Sequence, residues 1–451
     1  MKTIIIGAVA AGAKAAMKLR RLMPDSEITI YTNDTHISYS SCGIPYYIKG
    51  DFDDYRELFA KTPEEFENVG INVFLQHKVV KIQPEYNNIL VNDIIGEKSF
   101  LAEYDNLIIA TGARPFVPHI KNINLSKVFS VRSIEDAINI KEALKSAKRA
   151  VIVGSGYIGI EMLEAFVSNN VYVDVIEMSE TILPYLDSDM SKLIQKELEC
   201  IADGRFEFHT GKLVSELRGD CDGVKEVITQ FGEAYRADLV ILATGVIPNV
   251  ELAIDAGIEL GSTGAIKIDK FMRTNFNNVY ACGDCAQKML MISDEPVYIP
   301  LGSYASKEGR AVAINISGQN EEYAGILGST VTKCLDLTIS MTGMTETHAI
   351  KSGFDAVSYT LTKCDRVGYM PDAENITLKM VADKKSGQIL GAQAFGSKYA
   401  DKKINSLTSA LAGKMTVKDF LNNDATYAPP YSTSVDLLYN AALGLLNKID
   451  V

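Results

Sequence analysis

Ser38-Tyr39-Ser40-Ser41-Cys42-Gly43-Ile44-Pro45-Tyr46 places one cysteine among small and polar residues, thirty positions after Gly12. A thiolate is the nucleophile of disulfide exchange. A cysteine following one dinucleotide-type glycine turn, in a chain that carries a second near Gly154, implies a redox relay ending on one sulfur. The next cysteine is Cys200, so no neighbouring thiol can close a disulfide with Cys42. Cys42 must then cycle through a small-molecule partner or a sulfenic acid. As the attacking group it is expected to titrate below the free thiol value of about 8.5.

The other chemistry-bearing residues give weaker signals. Cys282-Gly283-Asp284-Cys285 has CxxC spacing but sits at the end of a short strand, with no second pair to complete a zinc site. His36, His77, His119, His209 and His348 show no ligand spacing, and no metal is expected. Cys42, Cys200, Cys221, Cys282, Cys285, Cys334 and Cys364 form an odd set without framework spacing, which points to a reducing cytoplasm. Most of them read as packing residues.

Two strand-turn-helix units must position Cys42. Ile4-Ile5-Ile6 runs into Gly7-Ala8-Val9-Ala10-Ala11-Gly12 and a helix expected over 13–23. Gly7 suits the tight turn and Gly12 close helix packing, but Val9 replaces the middle glycine, so this fingerprint is weak by itself. The following strand, Ile28-Thr29-Ile30-Tyr31, leads to Thr32, with Asp34 the nearest carboxylate for an adenosine ribose. The second unit is complete: Val151-Ile152-Val153, then Gly154-Ser155-Gly156-Tyr157-Ile158-Gly159, then a helix with Glu161. Its second strand ends on Glu177, which can bond both ribose hydroxyls and repels a 2′-phosphate, favouring NADH over NADPH. Ala110-Thr111-Gly112 and Ala243-Thr244-Gly245 each end a buried strand, a repeat that implies two dinucleotide halves.

Lys14, Lys18 and Arg21 share one face of the first helix. They are either a solvated stripe or a landing site for the phosphates of a nucleotide-like ligand. The chain of 451 residues is long enough for about three domains. Its net charge of −12 argues against nucleic-acid or anionic-membrane partners. No run reaches the ~18 apolar residues of a membrane span, and Met1-Lys2 leads directly into a strand, so no signal peptide is expected. From Ser329 onward, alternating segments such as Val331 to Ile339 suggest antiparallel strands, and Thr426-Tyr427-Ala428-Pro429-Pro430 forms a stiff loop before a last helix.

Together these segments resemble the flavin-dependent pyridine nucleotide-disulfide reductases, within them the single-cysteine branch of coenzyme A disulfide reductases, persulfide reductases, NADH oxidases and NADH peroxidases. The resemblance spans essentially the whole chain. It implies an α/β architecture with two Rossmann-like domains, for FAD and NAD, and a C-terminal α+β domain that forms a homodimer. The expected divisions are 1–113 and 244–325 for FAD, 114–243 for NAD and 326–451 for dimerisation. By resemblance, Asp284 bonds the flavin ribityl chain, Thr111 and Gly112 line the FAD site, and Glu161 lies near the nicotinamide. Ser41 is expected to contact the cofactor and Ser38 the substrate beside the reactive sulfur, and Tyr427 reaches the other subunit's site.

Ala10 stands where oxidases and peroxidases of the branch usually place a histidine, which weakens a peroxidase assignment. Pro45-Tyr46, Tyr369 and Tyr427 match the coenzyme A reductases, and Lys14, Lys18 and Arg21 would meet the nucleotide end of coenzyme A. Ser41 and Met370-Pro371-Asp372 depart from their usual pattern. The expected activity is NAD(P)H-dependent reduction of coenzyme A disulfide or a related persulfide or polysulfide through a single redox-active cysteine. The alternatives are an NADH oxidase using oxygen and a non-catalytic flavin redox sensor.

Overall fold

The computed structural model describes residues 1–450. Ile4 and Ile5 are wholly buried, as a strand covered on both faces must be. Their strand, Lys2–Ile6, is the centre of a five-stranded parallel sheet in the order Val279–Ala281, Asn106–Ile109, Lys2–Ile6, Glu27–Tyr31, Ile71–Phe74. A second parallel sheet repeats the design: Phe206–His209, Tyr172–Ile176, Arg149–Val153, Leu239–Leu242, Val128–Ser130. Each sheet is accompanied by a three-stranded antiparallel one, of which His77–Gln83 and Val214–Asp220 are the first strands.

The chain passes between the two parallel sheets along a short antiparallel pair, Ala113–Pro115 with Val246–Pro248. Each strand of this pair follows one of the Thr-Gly turns. Thr111 Oγ1 donates to the Asn249 carbonyl at 2.7 Å, and Asn249 Nδ2 donates to the Thr111 carbonyl at 2.8 Å. The crossing is thereby fixed from both sides.

The first helix is Ala10–Leu22, so it starts three residues earlier than expected and takes Ala10 and Gly12 into its first turn. Gly12 permits this, because a Cβ there would lie 2.0 Å from the Gly7 carbonyl oxygen. The helix packs on Gly302–Ile316, where Gly309 offers the same close approach: a Cβ there would be 2.2 Å from the Ala11 oxygen. The C-terminal region is a five-stranded antiparallel sheet, Thr330–Cys334, Leu337–Gly343, Ile389–Gly396, Asn375–Asp383, Ala356–Cys364. Helices Ala400–Ala412 and Leu437–Leu446 pack on it.

Lys379, buried on that sheet, is enclosed by Asp187 at 3.2 Å, Asp189 at 2.9 Å and Glu346 at 3.0 Å. Three carboxylates around one buried ammonium tie the region after Tyr172–Ile176 to the C-terminal sheet. Losing the Lys379 ammonium would leave the buried Asp187 carboxylate without its cation, a change that costs about 3–5 kcal/mol for a buried pair.

Candidate active site

Both glycine turns open into one cleft of about 2430 Å³, which also reaches Cys42. Gly7 has φ +99° and Gly154 φ +101°, a region that side-chain-bearing residues rarely enter. A Cβ at Gly7 would sit 2.2 Å from the Ala110 oxygen, and one at Gly154 would sit 2.4 Å from the Ala243 oxygen. The backbone therefore forms two bare cradles, each at the start of a helix, where N–H groups favour a phosphate.

The first cradle presents Gly7, Ala10, Thr32, Asp34, Ala110, Thr111 and Gly112 to the cleft. Gly12 packs behind it. Thr32 is buried, and its hydroxyl accepts from the Asp34 N–H at 3.2 Å. Asp284 lines the cleft and receives Arg132 Nη2 at 3.3 Å. Arg132 was not singled out by sequence, although the Ser133/Asp136 capping box beside it marks a helix start. Tyr298, also on the cleft wall, has a buried hydroxyl with no hydrogen-bond partner. The residues of this half suit an adenine dinucleotide such as FAD: a bare glycine cradle, an anion-compatible arginine, a carboxylate and an unpartnered hydroxyl.

The second cradle presents Gly154, Gly156, Tyr157, Ile158, Glu161, Glu177 and Gly245, with Gly159 packed behind. Glu177 is buried and held by three donors. The N–H and hydroxyl of Ser155 each donate to Oε2 at 2.8 Å, and the Ser179 N–H donates to Oε1 at 2.8 Å. Tyr157 stacks on Tyr185 with centroids 4.0 Å apart and donates to Thr330 Oγ1 at 2.6 Å. Half-buried Glu161 accepts from Thr332 Oγ1 at 3.3 Å. Burial first, and then the charge of Glu164, push its carboxyl up to about 7 against the Thr332 bond.

Cys42 lies in the short turn Ser41–Gly43, ahead of the helix Ile44–Lys49. Its Sγ is 3.9 Å from where a Cβ on Gly302 would stand, so the start of Gly302–Ile316 faces it. The sulfur opens onto the cleft, yet the protein crowding the cleft removes enough water to disfavour a thiolate. Desolvation, then the charges of Glu161 and Asp284, raise its pKa, while the Ser41 hydroxyl and Arg132 pull it down. The expected lowering is therefore not a property of the polypeptide alone, because desolvation, joined by the two acids, outweighs Ser41 and Arg132.

Ser38 sits behind the loop rather than in the cleft. It is buried at φ 50° and does not line the cleft; its N–H donates to the Ala8 carbonyl at 2.8 Å and its carbonyl accepts from Ala60 at 2.8 Å. It shapes the loop that presents Cys42. Lys14, Lys18 and Arg21 lie outside the cleft with no ion pairs among the described residues, as do the outward-facing Tyr369 and Tyr427, 74% and 51% exposed. Cys282 and Cys285 are fully buried, and the Cys285 thiol donates to the Cys282 carbonyl at 3.3 Å.

Comparison with known proteins covers nearly the whole chain. Residues 1–309 match the family described as pyridine nucleotide-disulphide oxidoreductase, and residues 330–438 match the dimerisation domain of that family. An NAD(P)H sulfur oxidoreductase (CoA-dependent) of Pyrococcus abyssi is 37% identical, over 96% of this chain and 96% of its own length. An NADH oxidase of Methanocaldococcus jannaschii is 34% identical, over 100% of this chain and 99% of its own. Among solved structures, an NAD-dependent persulfide reductase from A. fulgidus superposes with a TM-score of 0.96 at 33% identity, covering 99% of this chain and 83% of that one.

Proposed function

The chain belongs to the pyridine nucleotide-disulphide oxidoreductases, FAD-dependent enzymes that draw on NAD(P)H, and from that premise we propose that it reduces coenzyme A disulfide or a coenzyme A persulfide or polysulfide with electrons from NADH. One observation carries this: a lone, cleft-facing Cys42 shares a continuous cavity with two dinucleotide cradles. The CoA-dependent sulfur oxidoreductase and the persulfide reductase among its relatives support the same acceptor class.

Gly7, Thr111, Gly112 and Asp284 would hold FAD, and Gly154, Gly156 and Glu177 would hold NADH. The divisions 1–113, 114–243, 244–325 and 326–451 serve as its domain limits. Bound flavin supplies two-electron transfer between nicotinamide and sulfur. The polypeptide supplies the rest. Cys42 thiolate attacks one sulfur of the acceptor; that S–S bond breaks, a mixed disulfide forms on Cys42, and the departing thiolate takes a proton. Ser41 hydrogen-bonds the reacting sulfur. Glu177, already fixed by Ser155 and Ser179, places a negative charge where a 2′-phosphate would have to sit, so NADH is preferred. Lys14, Lys18 and Arg21 meet the phosphates of coenzyme A, and Tyr369 and Tyr427 act across a homodimer.

A second reading, an NADH oxidase, is favoured by the 34% identical oxidase. Ala10 weighs against it, since no imidazole is available at that turn for peroxide. NADH consumption measured with coenzyme A disulfide and polysulfide without air, and with oxygen alone, separates the two. Fast turnover with the sulfur acceptors is expected, and turnover with oxygen alone would sink the reductase.

A further inference from the structure

Glu161 and Glu164 stand one turn apart on the helix Tyr157–Ser168, and the structure treats them oppositely. Glu164 is buried and takes the nearby cations. Lys49 Nζ lies at 3.0 Å, Lys333 Nζ at 2.6 Å, and the Leu335 N–H donates at 3.0 Å. Glu161 has no ion pair among the described residues and keeps only the weak bond from Thr332 at 3.3 Å.

Lys49 and Lys333 line one small pocket with Glu161, but both pair with Glu164 and neither pairs with Glu161. Cys42 and Tyr46 approach from the segment Ser41 to Lys49, Tyr157 from its own helix, and Tyr185 from beneath Tyr157. Burial raises all three phenols, so they stay neutral at physiological pH. A carboxyl beside the Gly154 cradle therefore lacks a counter-cation that its neighbour on the same helix has twice.

We propose that Glu161 exchanges a proton with solvent as the nicotinamide changes charge, being neutral beside dihydronicotinamide and ionised beside the pyridinium cation. This rests on the NADH-dependent function above. A hydride given to flavin would leave the ring with one positive charge and the flavin with one negative charge, and once the electron pair has left on the reduced thiol the pyridinium would be the charge that remains. The O–H bond of Glu161 then breaks, its proton passes to solvent, and the carboxylate faces the new cation. Departure of NAD⁺ removes that cation and returns the proton. The proton released beside the cation is recovered when NAD⁺ leaves, so protons balance over the cycle.

The sign of the linkage is fixed. A cation nearby lowers the carboxyl pKa from its raised value of about 7, so NAD⁺ binds more tightly as pH rises toward 7 and levels off above it. The test is NAD⁺ titration into oxidised, FAD-loaded protein by calorimetry between pH 5.5 and 8, in two buffers of different ionisation enthalpy. Wild type is expected to gain about tenfold or more in affinity with pH and to release up to one proton at the acid end. Glu161→Gln should bind NAD⁺ with little pH dependence and no buffer-dependent heat, while Glu161→Asp restores both. Equal pH dependence in wild type and Glu161→Gln overturns the proposal. Failure of NAD⁺ to bind at any pH overturns both it and the dinucleotide assignment beneath it.

Discussion

Cys42 is pulled in two directions. Desolvation, Glu161 and Asp284 raise its pKa, and the Ser41 hydroxyl and Arg132 lower it, with the first set prevailing in the polypeptide. A thiol must ionise before it is alkylated, and a raised pKa moves that ionisation to higher pH. Iodoacetamide labelling of the flavin-free protein, read on the Cys42 peptide, should reach half its maximal rate above pH 8.5. A midpoint below that of a free thiol would contradict the charge balance described here. Ser41→Ala removes one of the two lowering contacts and should shift the midpoint further upward. The direction of this balance was not legible in the sequence, since Glu161 and Asp284 lie 119 and 242 positions from Cys42 and meet it only in the folded cleft.

Each cradle depends on one glycine at a positive φ. Gly154→Ala places a Cβ 2.4 Å from the Ala243 oxygen at φ +101°, and backbone strain of this kind costs about 1–3 kcal/mol. NADH affinity should fall by about tenfold, while flavin content stays at wild-type level because the Gly7 cradle is untouched. Loss of flavin with unchanged NADH affinity would reverse the assignment of the two turns. These units were legible beforehand: Ile4-Ile5-Ile6 and Val151-Ile152-Val153 read as buried strands, and the glycine spacing after them fixed the turns. Arg132 was not legible, because its partner Asp284 is 152 residues away. Ser38 lies outside the cleft for a local reason. Among so many serines near Cys42, nothing in sequence separates the one whose backbone turns the loop from those that face the cleft.

On the scale of the whole molecule, the outward surfaces bear on substrate and assembly. Among the described residues no helix is long and apolar enough to cross a membrane. Tyr369, Tyr427 and Tyr431 are 74%, 51% and 80% exposed, a large aromatic area for a single chain to leave in water. Sedimentation should give a dimer, and a monomer at micromolar concentration would remove any role for Tyr427 across an interface. Lys14, Lys18 and Arg21 form no ion pairs among the described residues, and their proposed contact with the phosphates of coenzyme A can be tested by substitution. Replacing all three by alanine should raise KM for coenzyme A disulfide roughly tenfold while leaving a small phosphate-free disulfide unaffected. Added salt should imitate the substitution in wild type.

The relay to one sulfur is tested most directly by Cys42→Ser, followed in two halves in the absence of air. NADH should still bleach the flavin of the variant at close to the wild-type rate. Mixing that reduced variant with coenzyme A disulfide or polysulfide should then leave the flavin reduced, whereas wild type reoxidises and releases thiol. Reoxidation of Cys42→Ser by the sulfur acceptor at the wild-type rate would contradict the account, because electrons would be leaving without passing through that sulfur.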